Sequence, residues 1–136
     1  MEGNRAEKFL VEYLSNLIFQ TFKDFEVVIS DQSTFYNLRS IVDTFNHVLN
    51  IRYVRNTGVK KNAANNVNYA VKHATGEIVK LLYMDDFFVD PFALQKISDA
   101  FIIILKVNGL YLDLLTVMKT EPSTLILEDL GMVTSM

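Results

Sequence analysis

The chain of 136 residues has no cysteine and no tryptophan, only two histidines, two prolines and five glycines. Without cysteine there can be no disulfide, no thiolate nucleophile and no Cys-based zinc site. That economy suits a reducing compartment. With His47 and His73 as the only imidazoles, a His-rich metal centre or a His-driven triad has little to build on. Charge of one sign is also scarce: the formal net charge is -3 and the pI about 5.3, so nothing draws the chain broadly to nucleic acid or anionic lipid. Long apolar runs are missing too. Phe101 to Leu105 is far too short to span a bilayer, and Lys106 and Asp113 interrupt any extension. Met1 to Leu10 is polar and charged, unlike a signal peptide. The expectation is a cytoplasmic protein, at most peripheral to a membrane. There is no internal repeat, low-complexity tract or long linker.

What the chain does have is apolar content, 50% of its residues, enough to bury one core. The apolar positions alternate between helical and strand spacing. Leu10, Tyr13, Leu14, Leu17 and Ile18 recur as on one helix face, which should end near Thr21 or Phe22. Phe25 to Ser30 is a β-branched run that closes at Asp31. Leu38, Ile41, Val42, Phe45 and Leu49 mark a second helix, with Ser33 or Thr34 as its N-cap. Ile51 to Val54 is a further strand, closed by Asn56-Thr57-Gly58. A third helix follows, with Ala63, Val67, Ala70, Val71 and Ala74 as the inner stripe and Gly76 as its stop. Gly76 to Asp86 then reads as a buried strand delivering two carboxylates to its tip. Asp90-Pro91 opens a fourth helix, Asp as N-cap and Pro at the first helical position. Beyond Gly109, Leu110 to Met118 fits a strand or a helix, and Thr124 to Leu127 a short strand. The alternation implies an α/β fold, a mainly parallel sheet with helices on both faces. Residues 1–109 would form the main domain, with 110–136 a tail packed on it.

In such sheets ligands bind beyond the carboxyl ends of the strands. Asp31-Gln32-Ser33 lies at one such end, where a carboxylate can bond a nucleobase or ribose, or simply cap the next helix. The third helix carries Asn62, Asn65, Asn66 and Asn68, four poor helix formers within seven positions. Sacrificed propensity marks a site, or else an exposed polar face. Asn65 and Asn68, three apart, can face one ligand. Asp85 and Asp86 end the fourth apolar segment; together they suit Mg²⁺ or Mn²⁺ bridging to phosphate, or they serve as a turn pair. Arg52, Arg55, Lys60 and Lys61 form a small basic cluster, able to face diphosphate or to remain solvated.

Taken in order, these segments resemble the donor-binding half of a family 2 glycosyltransferase, which has the GT-A, Rossmann-like fold. Gln20-Thr21-Phe22-Lys23-Asp24-Phe25-Glu26-Val27-Val28-Ile29-Ser30-Asp31-Gln32-Ser33 is similar to one segment of that family. Arg52 to Asn56 is similar to the strand that follows, and Ala64 to Gly76 to its asparagine-bearing helix. Leu82-Tyr83-Met84-Asp85-Asp86 sits where the metal-binding DxD motif belongs. The resemblance spans roughly Asn4 to Ala100. It implies transfer of a sugar from a nucleotide-diphosphate sugar, a UDP-sugar foremost, to a carbohydrate or lipid-linked acceptor. Asp31 and Ser33 would hold the base, and Asn65 and Asn68 would lie near the nucleotide. Asp85 and Asp86 would ligate Mn²⁺ or Mg²⁺ on the diphosphate.

The chain also departs from the family pattern. Tyr83 replaces the first Asp of the DxD motif. Asn4-Arg5 already resembles the residues after the family's opening strand, and the chain stops before the region that usually supplies the catalytic base. Glu128-Asp129 has neither the distance nor the context of that base motif. The expectation is therefore a domain shortened at both ends, with no assignable catalytic residue. The alternative is a non-catalytic remnant that binds nucleotide or a partner. A phospho-receiver module is a third reading, but no lone acceptor Asp and distal Lys can be placed for it. The absent strand should be a central one, between the strands ending at Asp31 and Asp85. Those two strands should therefore pair directly, or the tail (Leu110 to Met118 or Thr124 to Leu127) should enter the gap, or the open edge should drive homo-oligomers.

Overall fold

The computed structural model describes residues 2–34, 38–58, 61–82, 86–106 and 130–136. Their order is α1 (Glu2–Ile18), β1 (Glu26–Asp31), α2 (Arg39–Phe45), β2 (Ile51–Arg55), α3 (Ala63–His73), β3 (Val79–Leu82), α4 (Ala93–Lys106) and β4 (Leu130–Ser135). The four strands form one sheet in the order β2-β1-β4-β3. β1 and β2 pair in parallel, Val27 opposite Ile51 and Asp31 opposite Arg55. β4 runs antiparallel to both of its neighbours, β1 and β3. Three of the four strands therefore point the same way, and the expected α/β architecture holds.

The strand period of two separates the faces. Val27 and Ile29 of β1, with Leu82 of β3, join a core with Leu10, Tyr13, Leu14 and Leu17 of α1, Leu38 and Val42 beside or within α2, and Leu94 of α4. On the other face Val28 meets Ala70 of α3, with Ala74, Val79 and Leu81 packed around them. All six residues of β1 are buried, as in a strand covered on both faces, with the apolar run Val27 to Ile29 at its centre.

The gap between β1 and β3 is filled, but by another segment than expected. Leu130–Ser135 occupies it; Leu110 to Met118 and Thr124 to Leu127 lie outside the described residues. Val133 of β4 stands opposite Val28 on one side and Leu81 on the other. The ladder continues past the strand end, where Met136 N–H donates to Ile78 O at 2.7 Å and Ile78 N–H to Met136 O at 2.9 Å. Gly76 matters here for space: a Cβ on it would sit 2.6 Å from the Met136 carbonyl oxygen. β4 thus supplies backbone partners that β1 and β3 would otherwise lack in the interior, where an unpaired amide is costly.

Other boundaries shift for local reasons. α1 stops at Ile18, before Thr21 or Phe22, because residues 16–21 bond the segment ahead of α4 instead. Asn16 Nδ2 donates to Phe88 O, Gln20 Nε2 to Asp90 O, and Thr21 N–H to Pro91 O. β3 is shorter than the run from Gly76 suggests, beginning at Val79 after a bend. The N-cap of α2 is Leu38, without a side-chain cap, and neither Ser33 nor Thr34. α4 starts at Ala93, past Pro91, because Asp90 Oδ1 accepts from Phe92 N–H in a turn of its own. The first turn of α4 is capped from a distance: Leu94 N–H donates to Gln20 Oε1 at 3.1 Å.

Candidate functional site

The sheet brings the carboxyl ends of β1 and β3 to the same rim. Ile29 of β1 and Leu82 of β3 both stand opposite Met132, two strand spacings apart, about 10 Å. Asp31 lies two residues beyond Ile29. Asp85 lies outside the described residues, three positions after Leu82. Asp86 is half-buried in the loop that follows, ahead of Phe88, whose N–H and carbonyl are both held by Asn16.

Asp31 is the centre of the described part of this rim. Its carboxylate is fully buried, yet both of its oxygens are hydrogen-bonded. Oδ1 accepts from Ser33 N–H at 2.8 Å, while Oδ2 accepts from the Tyr53 hydroxyl at 2.5 Å and from Arg55 Nη1 at 2.6 Å. Period two along β2 puts Tyr53 and Arg55 on the face of Asp31, and the parallel register sets Arg55 directly beside it. Arg55 reaches on to Ser33, donating from Nη2 to the carbonyl at 2.6 Å and from Nη1 to Oγ at 3.4 Å. A buried carboxylate costs several kcal/mol unless it is paired and hydrogen-bonded, and here it is both.

These contacts leave a titration signature. The Tyr53 phenol is pushed up to about 12, first by burial and then by its hydrogen bond to Asp31 and the negative charge there; Arg55 pulls weakly the other way. A tyrosine whose folded pKa exceeds its unfolded value stabilises the fold fully below pH 10 and loses that contribution as pH rises toward 12. Urea midpoints should therefore fall between these values in the wild type, and this step should vanish in Tyr53→Phe. For Arg55, burial alone would lower the pKa, but hydrogen bonds to Tyr53 and Asp31 and the Asp31 charge outweigh it, so the guanidinium stays charged.

The asparagine-rich helix divides its labour. Asn65 and Asn68 are exposed on α3, and Asn62 is the N-cap, accepting from Asn65 N–H at 2.8 Å. The buried one is Asn66, which the sequence reading did not single out. Its Oδ1 accepts from Ser30 Oγ at 2.5 Å and Asn56 Nδ2 at 3.1 Å, while its Nδ2 donates to Ser30 O at 2.9 Å. Asn56 N–H in turn donates to Asp31 O at 2.8 Å. Asn66 thus ties α3 to the rim of β1 and β2. A signal was available, since positions 66, 70 and 74 recur at helical spacing; Val71, expected inside, is exposed instead.

A concavity of about 260 Å³ lies at the opposite end of β1, among Lys23, Glu26, Asn50, Thr75, Gly76 and Met136. Its one buried acid is already engaged: Glu26 Oε1 accepts from Thr75 N–H and Oγ at 2.5 and 2.7 Å, and Oε2 faces Arg52 Nε at 3.5 Å. It sits at the amino ends of the parallel strands, where open α/β sheets do not place their ligands. Among the described residues no group of three His, Asp or Glu could hold a metal ion, and no helix is long and apolar enough to cross a membrane.

The family model for glycosyl transferase family 2 matches residues 4–102, well over half the chain. The chain belongs to that family. Neither a curated protein nor a solved structure matches it. The matched region runs from α1 into α4 and contains Asp31, Asn66 and Asp86. Membership carries a glycosyltransferase type of function, with a nucleotide-sugar donor and an acceptor, and the family generally uses divalent metals.

Proposed function

We propose that this chain is the donor-binding domain of a glycosyltransferase that takes a UDP-sugar and, with Mn²⁺ or Mg²⁺, places it over the common rim of β1 and β3. Residues 1–109 would form that domain, with 110–136 packed on it and completing its sheet. The observation that carries the reading is the buried, fully hydrogen-bonded Asp31 at the carboxyl end of β1 in a chain of this family. Asp31 and Ser33 define the base end of the site. Asn65 and Asn68, exposed on α3, are the residues assigned to the nucleotide from that helix. Asp85 and Asp86 would hold the metal. Magnesium keeps most of its waters and needs only one or two protein carboxylates beside substrate phosphates, so two adjacent acids suffice. The bound ion would offset charge on the departing diphosphate. No residue is assigned as catalytic base, and the acceptor is a carbohydrate or a lipid-linked sugar.

Calorimetry tests this directly. UDP should bind with Mn²⁺ present and much more weakly without it; Asp85→Ala should abolish the metal dependence, and Asp31→Ala should weaken binding. Equal UDP affinity with and without Mn²⁺ would refute the proposal. A second reading, a nucleotide- or partner-binding module without transfer, draws on Asp31 having its oxygens engaged by Ser33, Tyr53 and Arg55. It predicts UDP binding with neither sugar transfer nor donor hydrolysis.

A further inference from the structure

The nucleotide reading leaves open which atoms meet the base. Asp31 is fully buried, whereas the Arg55 side chain paired with it is 44% exposed, so of the two Arg55 is the one a ligand at this rim can reach. The carboxylate is already engaged by three protein donors: Ser33 N–H, the Tyr53 hydroxyl and Arg55 Nη1. An N–H of a ligand would have to displace one of them. Arg55, by contrast, has five N–H donors; its hydrogen bonds to Asp31 and Ser33 use three, on Nη1 and Nη2, and the one to Tyr53 a fourth, which leaves one. It is held rigidly at one edge and remains available at the other.

We propose that Arg55 is a specificity-determining residue of this rim: it hydrogen-bonds a carbonyl-bearing edge of the donor's nucleobase, and Asp31 is the positioning residue that locks it in place. This rests on the nucleotide-sugar reading above. Two features favour the base over the diphosphate. First, Asp31 cancels the charge of Arg55 at 2.6 Å, which leaves a directional donor with little net pull on an anion. Second, β2 and β3 are the two edges of the sheet, three strand spacings apart, about 14 Å. A diphosphate held with a metal beyond β3 and a group held by Arg55 at the end of β2 are therefore different ends of one extended ligand. Arginine carries donors only, so the ligand edge must present acceptors, as the carbonyls of uracil do.

NMR titration of the full chain with uridine and, separately, with inorganic pyrophosphate tests the assignment in wild type, Arg55→Lys and Arg55→Gln. Arg55→Lys keeps the charge beside Asp31 and loses the planar fork, so it separates recognition from folding; thermal denaturation verifies that each variant is folded. Both variants should lose about tenfold in uridine affinity, the scale of one hydrogen bond from a charged donor, with pyrophosphate affinity unchanged. Unaltered uridine affinity in Arg55→Lys, or an equal loss for pyrophosphate, would overturn the assignment while UDP binding stands. A wild-type protein that binds no UDP would overturn both this assignment and the function beneath it.

Discussion

Val133→Pro should strongly destabilise the domain. Val133 sits mid-strand in β4 and is paired on both sides, opposite Val28 and Leu81. Proline removes its N–H from the ladder and is tolerated only at edges and bulges, so a substitution in an interior strand should cost about 3 kcal/mol. Against a total stability of about 5–15 kcal/mol, that is a large share. The effect should extend beyond β4, because β1 depends on β4 for one of its two ladders. In the wild type, amide exchange at Val27 to Ile29 should be among the slowest in the chain; in the variant it should approach that of exposed segments. Unchanged urea midpoints and slow exchange in Val133→Pro would mean that β4 does not complete the sheet.

The second large effect is an asymmetry between the partners of one ion pair. Arg55→Ala leaves Asp31 fully buried without the cation that pairs with it among the described residues, and should cost about 3 kcal/mol in urea unfolding. Asp31→Asn leaves Arg55 half in water, where it can be solvated, and should cost about 1 kcal/mol. The double variant Asp31→Asn/Arg55→Ala should recover most of the loss of Arg55→Ala, because the uncompensated charge is gone. A double-mutant cycle reads this coupling. Additive losses would show that Asp31 finds other compensation.

Patterns local to one element were legible in the sequence. The α1 stripe, the β-branched run of β1 and the helix after Asn62 all follow from period and capping chemistry. What escaped depends on distant partners. α4 is capped by Gln20, and the end of α1 is diverted to Phe88, Asp90 and Pro91; no local window contains both halves of these bonds. β4 was the hardest to foresee. The need for a strand between β1 and β3 was deducible, but Leu130–Ser135, a short segment with Gly131 within it, is a weak strand signal, and its place is set by the vacancy it fills.

At the site, Asp31 and Ser33 were visible as a strand-end pair, yet their engagement by Tyr53 and Arg55 comes from the parallel register of β2. Among the asparagines, composition pointed to the right helix and periodicity to the buried position, but the two cues selected different residues. Asn65 and Asn68 face solvent; Asn66 braces the rim.

The most direct measurement is the footprint of UDP and Mn²⁺ on backbone amides by hydrogen exchange. The account predicts added protection at Gln32, Ser33, Asn56 and Thr57, beyond the carboxyl ends of β1 and β2, with none around Lys23, Glu26 and Gly76. Protection confined to that opposite hollow, with the Asp31 rim unchanged, would contradict it.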